Sequence, residues 1–143
     1  MRYAIASSRS KRLGTLRSIW ARGTRTLIVA ARGLLIFDST ANGNVKPLRV
    51  ITGPDTSGGM YAAAYNGLVF ARTASNAIGV WKITDNGAVP ARYKIGQGVV
   101  VETRGLTIDP KNQSVIATDK DLNAVLTWRV PEVFAQATGT RTN

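Results

Sequence analysis

The chain has 143 residues, no Cys, no His and a formal charge of +11. This length fits one domain, and fourteen Gly with five Pro predict many turns rather than long helices. Without Cys or His, the sequence excludes disulfides, thiolate and His-based zinc sites, and Ser-His-Asp or Cys-His catalysis.

The positive charge is concentrated at the N-terminus. Residues 1–32 carry eight basic side chains and no acidic one, whereas residues 33–143 carry eleven basic and eight acidic side chains. Residues 1–17 are predicted to be a basic segment that is either disordered or supplies an outer strand to the last sheet. A basic arm can neutralise phosphates, but no aromatic residues interleave among Arg9, Lys11 and Arg12 for stacking on bases. The segment lacks the apolar core of a secretory signal, no stretch reaches the length of a membrane span, and the compartment stays open.

Short apolar or alternating runs recur along the chain with a period of about 41 to 47 residues. NAIGVWKI (76–83) matches NAVLTWRV (123–130), which places Trp81 and Trp128 at the same position of two units. IFDSTANGNVKPLRVITG (36–53) matches VWKITDNGAVPARYKIG (80–96) in the same way. The predicted units are 18–54, 59–97 and 105–131. Residues 135–143 are predicted to be a flexible tail.

The composition of these runs predicts β-strands, because Val, Ile, Thr, Tyr and Trp dominate them. The Asn66-Gly67 pair predicts a type I′ hairpin turn, which needs positive φ at both central positions. The strands predicted for the middle unit are Met60–Tyr65, Leu68–Arg72, Ile78–Thr84 and Ala91–Ile95. Four antiparallel strands in such a period are typical of a propeller blade. The predicted fold is therefore all-β, a partial β-propeller of about three four-stranded antiparallel blades.

Blades bury their apolar residues against neighbouring blades, and this predicts where several side chains lie. The runs LIVAA, LVFA and VIAT are predicted to be inner strands that are buried on both faces. Ala30, Ala71 and Ala117 are expected at matching places near the axis. Trp81 and Trp128 are expected to pack between blades.

Two stretches of the sequence resemble a known protein family. GNVKPLRVITGP (43–54) and GLTIDPKNQSVIATDKDLNAVLTWRVPEVF (105–134) look like blades of bacterial NHL-repeat proteins, and the similarity covers about residues 18–134. The resemblance implies the six-bladed architecture of the TolB-like group, whose members are often secreted. Because only about three blades are present, it also implies that further blades of the same chain or a second copy close the ring. The sequence is then a fragment or a self-associating half-propeller.

One cluster has the residue types of a metal site. Asp119, Asp121 and Asn123 form D-x-D-x-N, which resembles the first half of a calcium loop. Ala124 replaces the expected Gly and no bidentate Glu follows. We therefore predict a loop between strands and no cofactor, with calcium kept as the alternative.

The functional prediction follows from the lack of a complete active site. The eight acidic residues are spread over loops, so we predict a non-enzymatic binding or scaffold module that recognises a protein, peptide or glycan. One alternative is a metal-dependent, lactonase-like hydrolase. The other is binding of RNA or another nucleic acid on a basic face, since some NHL propellers bind RNA. The residues predicted for that face, on or near outer strands, are Arg49, Arg92, Lys94 and Arg104.

Overall fold

The computed structural model describes residues 3–5, 17–21, 25–56 and 61–137 of the protein. Within these residues the chain forms fourteen short strands, one short α-helix and one turn of 3-10 helix (Pro54–Thr56), so the prediction of an all-β protein is confirmed. No helix in the described ranges is long and apolar enough to cross a membrane.

The elements are numbered in chain order. They are β1 (Tyr3–Ile5), β2 (Arg17–Ala21), β3 (Thr26–Ala30), β4 (Leu34–Asp38), β5 (Gly43–Val45), β6 (Arg49–Thr52), β7 (Ala62–Tyr65), β8 (Leu68–Arg72), β9 (Ile78–Lys82), β10 (Gly87–Ala88), β11 (Tyr93–Ile95), β12 (Thr103–Asp109), β13 (Ser114–Asp119), β14 (Ala124–Arg129) and α1 (Pro131–Ala137).

The strands form three main sheets whose members follow one another in the chain. The first sheet has the order β2-β3-β4-β6, the second β7-β8-β9-β11 and the third β12-β13-β14, all antiparallel. The short strand β10 adds to β6 in parallel, and β1 pairs with β5 in a separate two-stranded ribbon. Chain-order antiparallel pairing explains the short connections within each sheet.

Turn chemistry accounts for the tightest connection. Asn66 and Gly67 have φ values of 46° and 82°, and Tyr65 lies opposite Leu68, so the predicted positive φ at both turn positions is confirmed. The connection between β3 and β4, the second and third strands of the first sheet, is also tight, because only three residues separate the paired Ala30 and Leu34.

The second sheet follows its predicted strands closely. Strand β8 has the predicted bounds, whereas β9 ends at Lys82 instead of Thr84. The reason is a turn: the Lys82 amide donates to Asp85 Oδ2 at 2.9 Å, and the Asp85 amide donates to the Lys82 carbonyl at 3.0 Å.

The hydrophobic core consists of layers between stacked sheets. One cluster joins the first and second sheets and includes Ile28, Ile36, Val69 and Trp81. A second cluster joins the second and third sheets and also takes in residues of α1. Strand β7 lies beside both β2 and β12, so the sheets converge at their first strands. The second sheet is therefore buried on both faces.

The two Trp residues take the same place in their sheets. Trp81 lies opposite Val69 on the third strand of the second sheet, and Trp128 lies opposite Val115 on the third strand of the third sheet. Trp81 belongs to the cluster shared with the first sheet, and Trp128 packs against the cluster shared with the second. Each ring thus faces the preceding sheet.

The expectation that Ala30 matches Ala71 and Ala117 is wrong. Ala71 and Ala117 both face the sheet before their own, but Ala30 faces the second sheet, which follows its own. All three lie on second strands, whereas the strands that converge are the first ones. Because successive side chains in a strand alternate faces, a one-residue error in alignment reverses the direction of Ala30.

Two predictions about the ends of the chain are corrected. Residues Tyr3–Ile5 do form a strand, but it pairs with β5 and not with the last sheet, which has three strands within the described residues. Ala135–Ala137, expected in a flexible tail, belong to helix α1, where Val133 and Phe134 are buried against the second and third sheets. Residues 138–143 and most of the basic segment 1–17 lie outside the described residues.

Candidate binding site

Polar side chains gather at the end of the stack where β7 and β12 begin. Antiparallel pairing brings the end of β8 next to the start of β7, and β7 lies beside β12. This placement joins side chains from two sheets. We call them the Arg72–Arg104 cluster: Tyr61, Arg72, Asn76, Glu102 and Arg104.

Glu102 lies between the two guanidinium groups of the cluster. Its Oε1 is 2.9 Å from Arg104 Nη2, and its Oε2 is 3.4 Å from Arg72 Nη2. The same Arg72 nitrogen donates to Asn76 Oδ1 at 3.4 Å. Both Arg72 bonds are longer than a typical N–H···O bond, so this guanidinium is held loosely.

Two polar atoms of this region are buried without a hydrogen-bond partner, Arg72 Nε and Thr103 Oγ1. Burying a polar group without a partner costs stability, and native structures keep few such groups. The cluster is therefore not arranged for maximal stability.

Arg104 is positively charged. A hydrogen bond to the Tyr61 hydroxyl, followed by the negative charge of Glu102, raises the pKa of Arg104 above its ordinary value. Its side chain remains 41% exposed. A charged and accessible guanidinium can donate paired hydrogen bonds to a carboxylate or a phosphate.

The structure assigns the predicted calcium candidate Asp119 to a structural role. Asp119 Oδ2 accepts from the amides of Val101 and Glu102 at 2.8 and 2.9 Å, and Oδ1 accepts from those of Asp121 and Leu122 at 3.1 and 3.0 Å. Burial acts to raise the pKa of Asp119, but these four N–H groups outweigh it and lower the pKa. Both carboxylate oxygens of Asp119 thus accept hydrogen bonds from backbone amides.

The other two residues of the calcium candidate belong to the same turn. Asp121 is exposed, and Asn123 has a φ of 49°, a left-handed conformation that Asn tolerates in turns. Within the described ranges, no group of three or more acidic residues lies close enough together to hold a metal ion.

The four residues predicted for a basic face all have partners within the chain. Arg92 pairs with Asp85 at 2.7 Å and Lys94 with Asp55 at 2.8 Å. Arg104 pairs with Glu102, and Arg49 Nε donates to the Ile83 carbonyl at 2.9 Å.

Nor do these four residues share one edge of the fold. Arg49 lies in β6 and Lys94 in β11, with Arg92 just before β11, and these are the last strands of the first two sheets. Arg104 lies in β12, the first strand of the third sheet, beside β7 and away from the last strands β6 and β11.

Sequence reasoning missed the residues that matter most at this end, Tyr61, Arg72 and Glu102. Arg72 closes an otherwise apolar strand, LVFAR, and that position was a usable signal. Its meeting with Glu102, thirty residues later, depends on sheet stacking, which no local pattern specifies.

Asp55 was also missed. Its Oδ2 accepts from the Ala91 amide at 3.2 Å, and its pairing with Lys94, followed by this amide bond, lowers its pKa against the opposing effect of burial. Asp55 follows the first sheet and Lys94 belongs to the second, so this pair ties the two sheets together.

No protein-family model matches the chain, and no curated protein matches it.

Proposed function

We propose that this chain forms three successive blades of a partial, NHL-like β-propeller and acts as a non-enzymatic binding module. Its ligand is an acidic segment of a peptide or protein. The Arg72–Arg104 cluster binds that segment at the end of the stack where β7 and β12 begin.

The proposed propeller arrangement is supported by the stacking of the sheets. The first strands β2, β7 and β12 converge, as blades do around an axis. Trp81 and Trp128 have the same register and face the preceding sheet in each case. Three blades make only part of a ring, and the outer face of the first sheet is already covered by Val45 of β5.

The binding proposal depends on a single observation: two guanidinium groups share one carboxylate. Glu102 is the partner of both Arg72 and Arg104, and the Arg72 contact is long at 3.4 Å. A ligand carboxylate can therefore bond to donors that Glu102 only partly satisfies. Charged hydrogen bonds of this kind are stronger than neutral ones.

An acidic peptide fits this cluster better than nucleic acid does. Nucleic acid is held by many phosphate contacts along an extended basic surface. Three of the four predicted basic residues are instead paired with Asp55, Asp85 and Glu102, which reduces the free positive charge. A compact pair of arginines suits one or two carboxylates.

Binding of a fluorescein-labelled peptide with four Glu residues, followed by anisotropy, tests the proposal. Arg104→Gln is expected to weaken binding by roughly tenfold, the size of one charged hydrogen bond. Arg92→Gln is the matched control, because Arg92 has the same 41% side-chain exposure and one ion pair elsewhere.

Binding of an acidic peptide predicts results that differ from those of non-specific or nucleic-acid binding. A peptide in which Gln replaces every Glu should not bind. Equal loss of binding in both arginine variants, or stronger binding of a single-stranded RNA of similar length than of the acidic peptide, contradicts the proposal.

A further inference from the structure

The two faces of the third sheet differ in burial. Along β14, Ala124, Leu126 and Trp128 are half-buried toward the second sheet, whereas the alternate residues are exposed. Val125 is 68% exposed, the largest value among the exposed large hydrophobic residues described. We call the side of the third sheet that faces away from the second sheet the open face. Its residues are Gly105, Thr107, Asp109, Ser114, Ile116, Thr118, Val125, Thr127 and Arg129, of which only Ser114 is buried.

The strand register arranges the open face in three rows. One row is Gly105–Thr118–Val125, the next is Thr107–Ile116–Thr127, and the last is Asp109–Ser114–Arg129. The first two rows are rich in β-branched side chains, which suit packing on a pleated surface. The last row carries opposite charges at its two ends.

We propose that a second copy of this chain docks on the open face, face to face, about a two-fold axis parallel to β13. This rotation lays β12 of one copy over β14 of the other, and sheets pack in this way at about 10 Å. Each open-face residue of β12 then faces the β14 residue of the same row in the other copy.

The rows are complementary to themselves under this rotation. Asp109 meets Arg129 of the second copy, and Arg129 meets Asp109, so two ion pairs form. Val125 projects over the second copy's Gly105, beside which that copy's Thr118 side chain lies. Ile116 lies near the axis and packs on its own equivalent. A two-fold interface requires this kind of self-complementarity.

The alternative dimer, in which the third sheet of one copy covers the first sheet of the other, needs an open face on the first sheet. That surface is occupied: Leu27, Val29, Leu35 and Phe37 are buried, and Val45 of β5 packs against them. The symmetric dimer uses surface that is already exposed. It depends only on the register of the third sheet, so it holds or fails independently of the binding function.

Sedimentation velocity on the whole chain tests the dimer. At concentrations on the order of tens of micromolar, within the range of modest protein–protein affinities, we expect a species of twice the 15.3 kDa chain mass. Arg129→Glu places two like-charge contacts in the interface and should weaken the dimer at least tenfold, because like charges facing each other across an interface repel. Asp109→Lys should do the same.

An equal mixture of Arg129→Glu chains and Asp109→Lys chains provides the specific test. In the mixed dimer one contact pairs the two native residues and the other pairs the two substituted ones, so the mixture should recover most of the dimer. Arg32→Glu, an exposed change in the connection between β3 and β4, is the control and should leave the dimer intact.

Asp109 also bonds to Asn112 in its turn, so Asp109→Lys carries a risk to folding. Val125→Lys serves as the second variant, because this exposed side chain can change without unfolding the sheet, and it should give a monomer. A wild-type monomer throughout this range, a dimer that survives Val125→Lys, or a mixture no better than its parts overturns the proposal.

Discussion

The second and third sheets have similar strands but different surroundings. The second sheet lies between two others, and its strand β8 reads LVFA, an unbroken apolar run whose four residues are all buried. The third sheet has a neighbour on one side only, and its strand β14 reads AVLTWR, with alternate residues exposed. Continuous apolar strands accompany burial on both faces, and alternating strands accompany burial on one. The contrast between β8 and β14 thus reflects how many faces of each sheet are covered, although β13, whose run VIA is as apolar as β8, shows that the pattern is not strict.

The largest expected consequence concerns the two Trp residues at equivalent positions. Trp81 is fully buried and its Nε1 donates to the Val89 carbonyl at 3.0 Å, whereas Trp128 is only partly buried. We expect Trp81→Ala to lower the free energy of unfolding by about 3–5 kcal/mol. Trp128→Ala should cost less than half as much. Urea denaturation measures both.

If Trp81→Ala does not fold, Trp81→Phe keeps most of the side-chain volume and should still cost more than Trp128→Phe. Equal losses for the two positions would mean that the second sheet is no better covered than the third, which contradicts the stacking.

The next effect separates Asp119 from its neighbour Asp121. Asp119→Asn removes the carboxylate that accepts hydrogen bonds from the backbone amides of the Val101–Glu102 segment and of the Asp121–Leu122 turn. It should lower the free energy of unfolding by about 2 kcal/mol. Asp121→Asn, an exposed change, should stay within about 0.5 kcal/mol. Thermal or urea unfolding distinguishes them.

The pH dependence of the Asp119 effect has a definite direction. Because the pKa of Asp119 is lowered in the folded protein, its contribution is present above the unfolded value and is lost as the pH falls through the folded value. The difference between wild type and Asp119→Asn should therefore shrink below about pH 4. A difference that grew there, or a melting temperature that rose with calcium, would contradict the structural role.

The smallest effect compares the two faces of the third sheet. Val115 is fully buried and Val125 is largely exposed, although both lie on neighbouring strands of one sheet. Val115→Thr buries a hydroxyl and should cost about 1–3 kcal/mol. Val125→Thr should change the stability of the monomer by less than about 0.5 kcal/mol. A cost for Val125→Thr equal to that for Val115→Thr would show that the open face is covered in the monomer.

Local patterns predicted the parts of the fold that depend on neighbouring residues. The strand Leu68–Arg72 and the positive φ of Asn66 and Gly67 follow from side-chain type and turn chemistry. The prediction that VIAT is buried on both faces is wrong, because Thr118 is exposed and Ile116 only half-buried on the side of the third sheet that faces away from the second sheet.

The features of the fold that were not predicted depend on contacts between residues that are distant in the chain. The pairing of β1 with β5 spans about forty residues and carries no turn signal. The sharing of Glu102 by Arg72 and Arg104 exists only because β7 lies beside β12. Ala30 was misplaced because a shift of one residue, invisible in a run of apolar letters, reverses the face of a side chain.

The central claim is that the three sheets stack in chain order with the second between the other two. Nuclear Overhauser contacts from the two indole rings test it most directly. The Trp81 ring should show contacts to methyl groups of the first sheet, such as those of Ile28 and Ile36, and the Trp128 ring to Gly96 and Val100 beside the second sheet. Contacts from Trp81 to methyl groups of the third sheet, or none to the first, would contradict the stacking order.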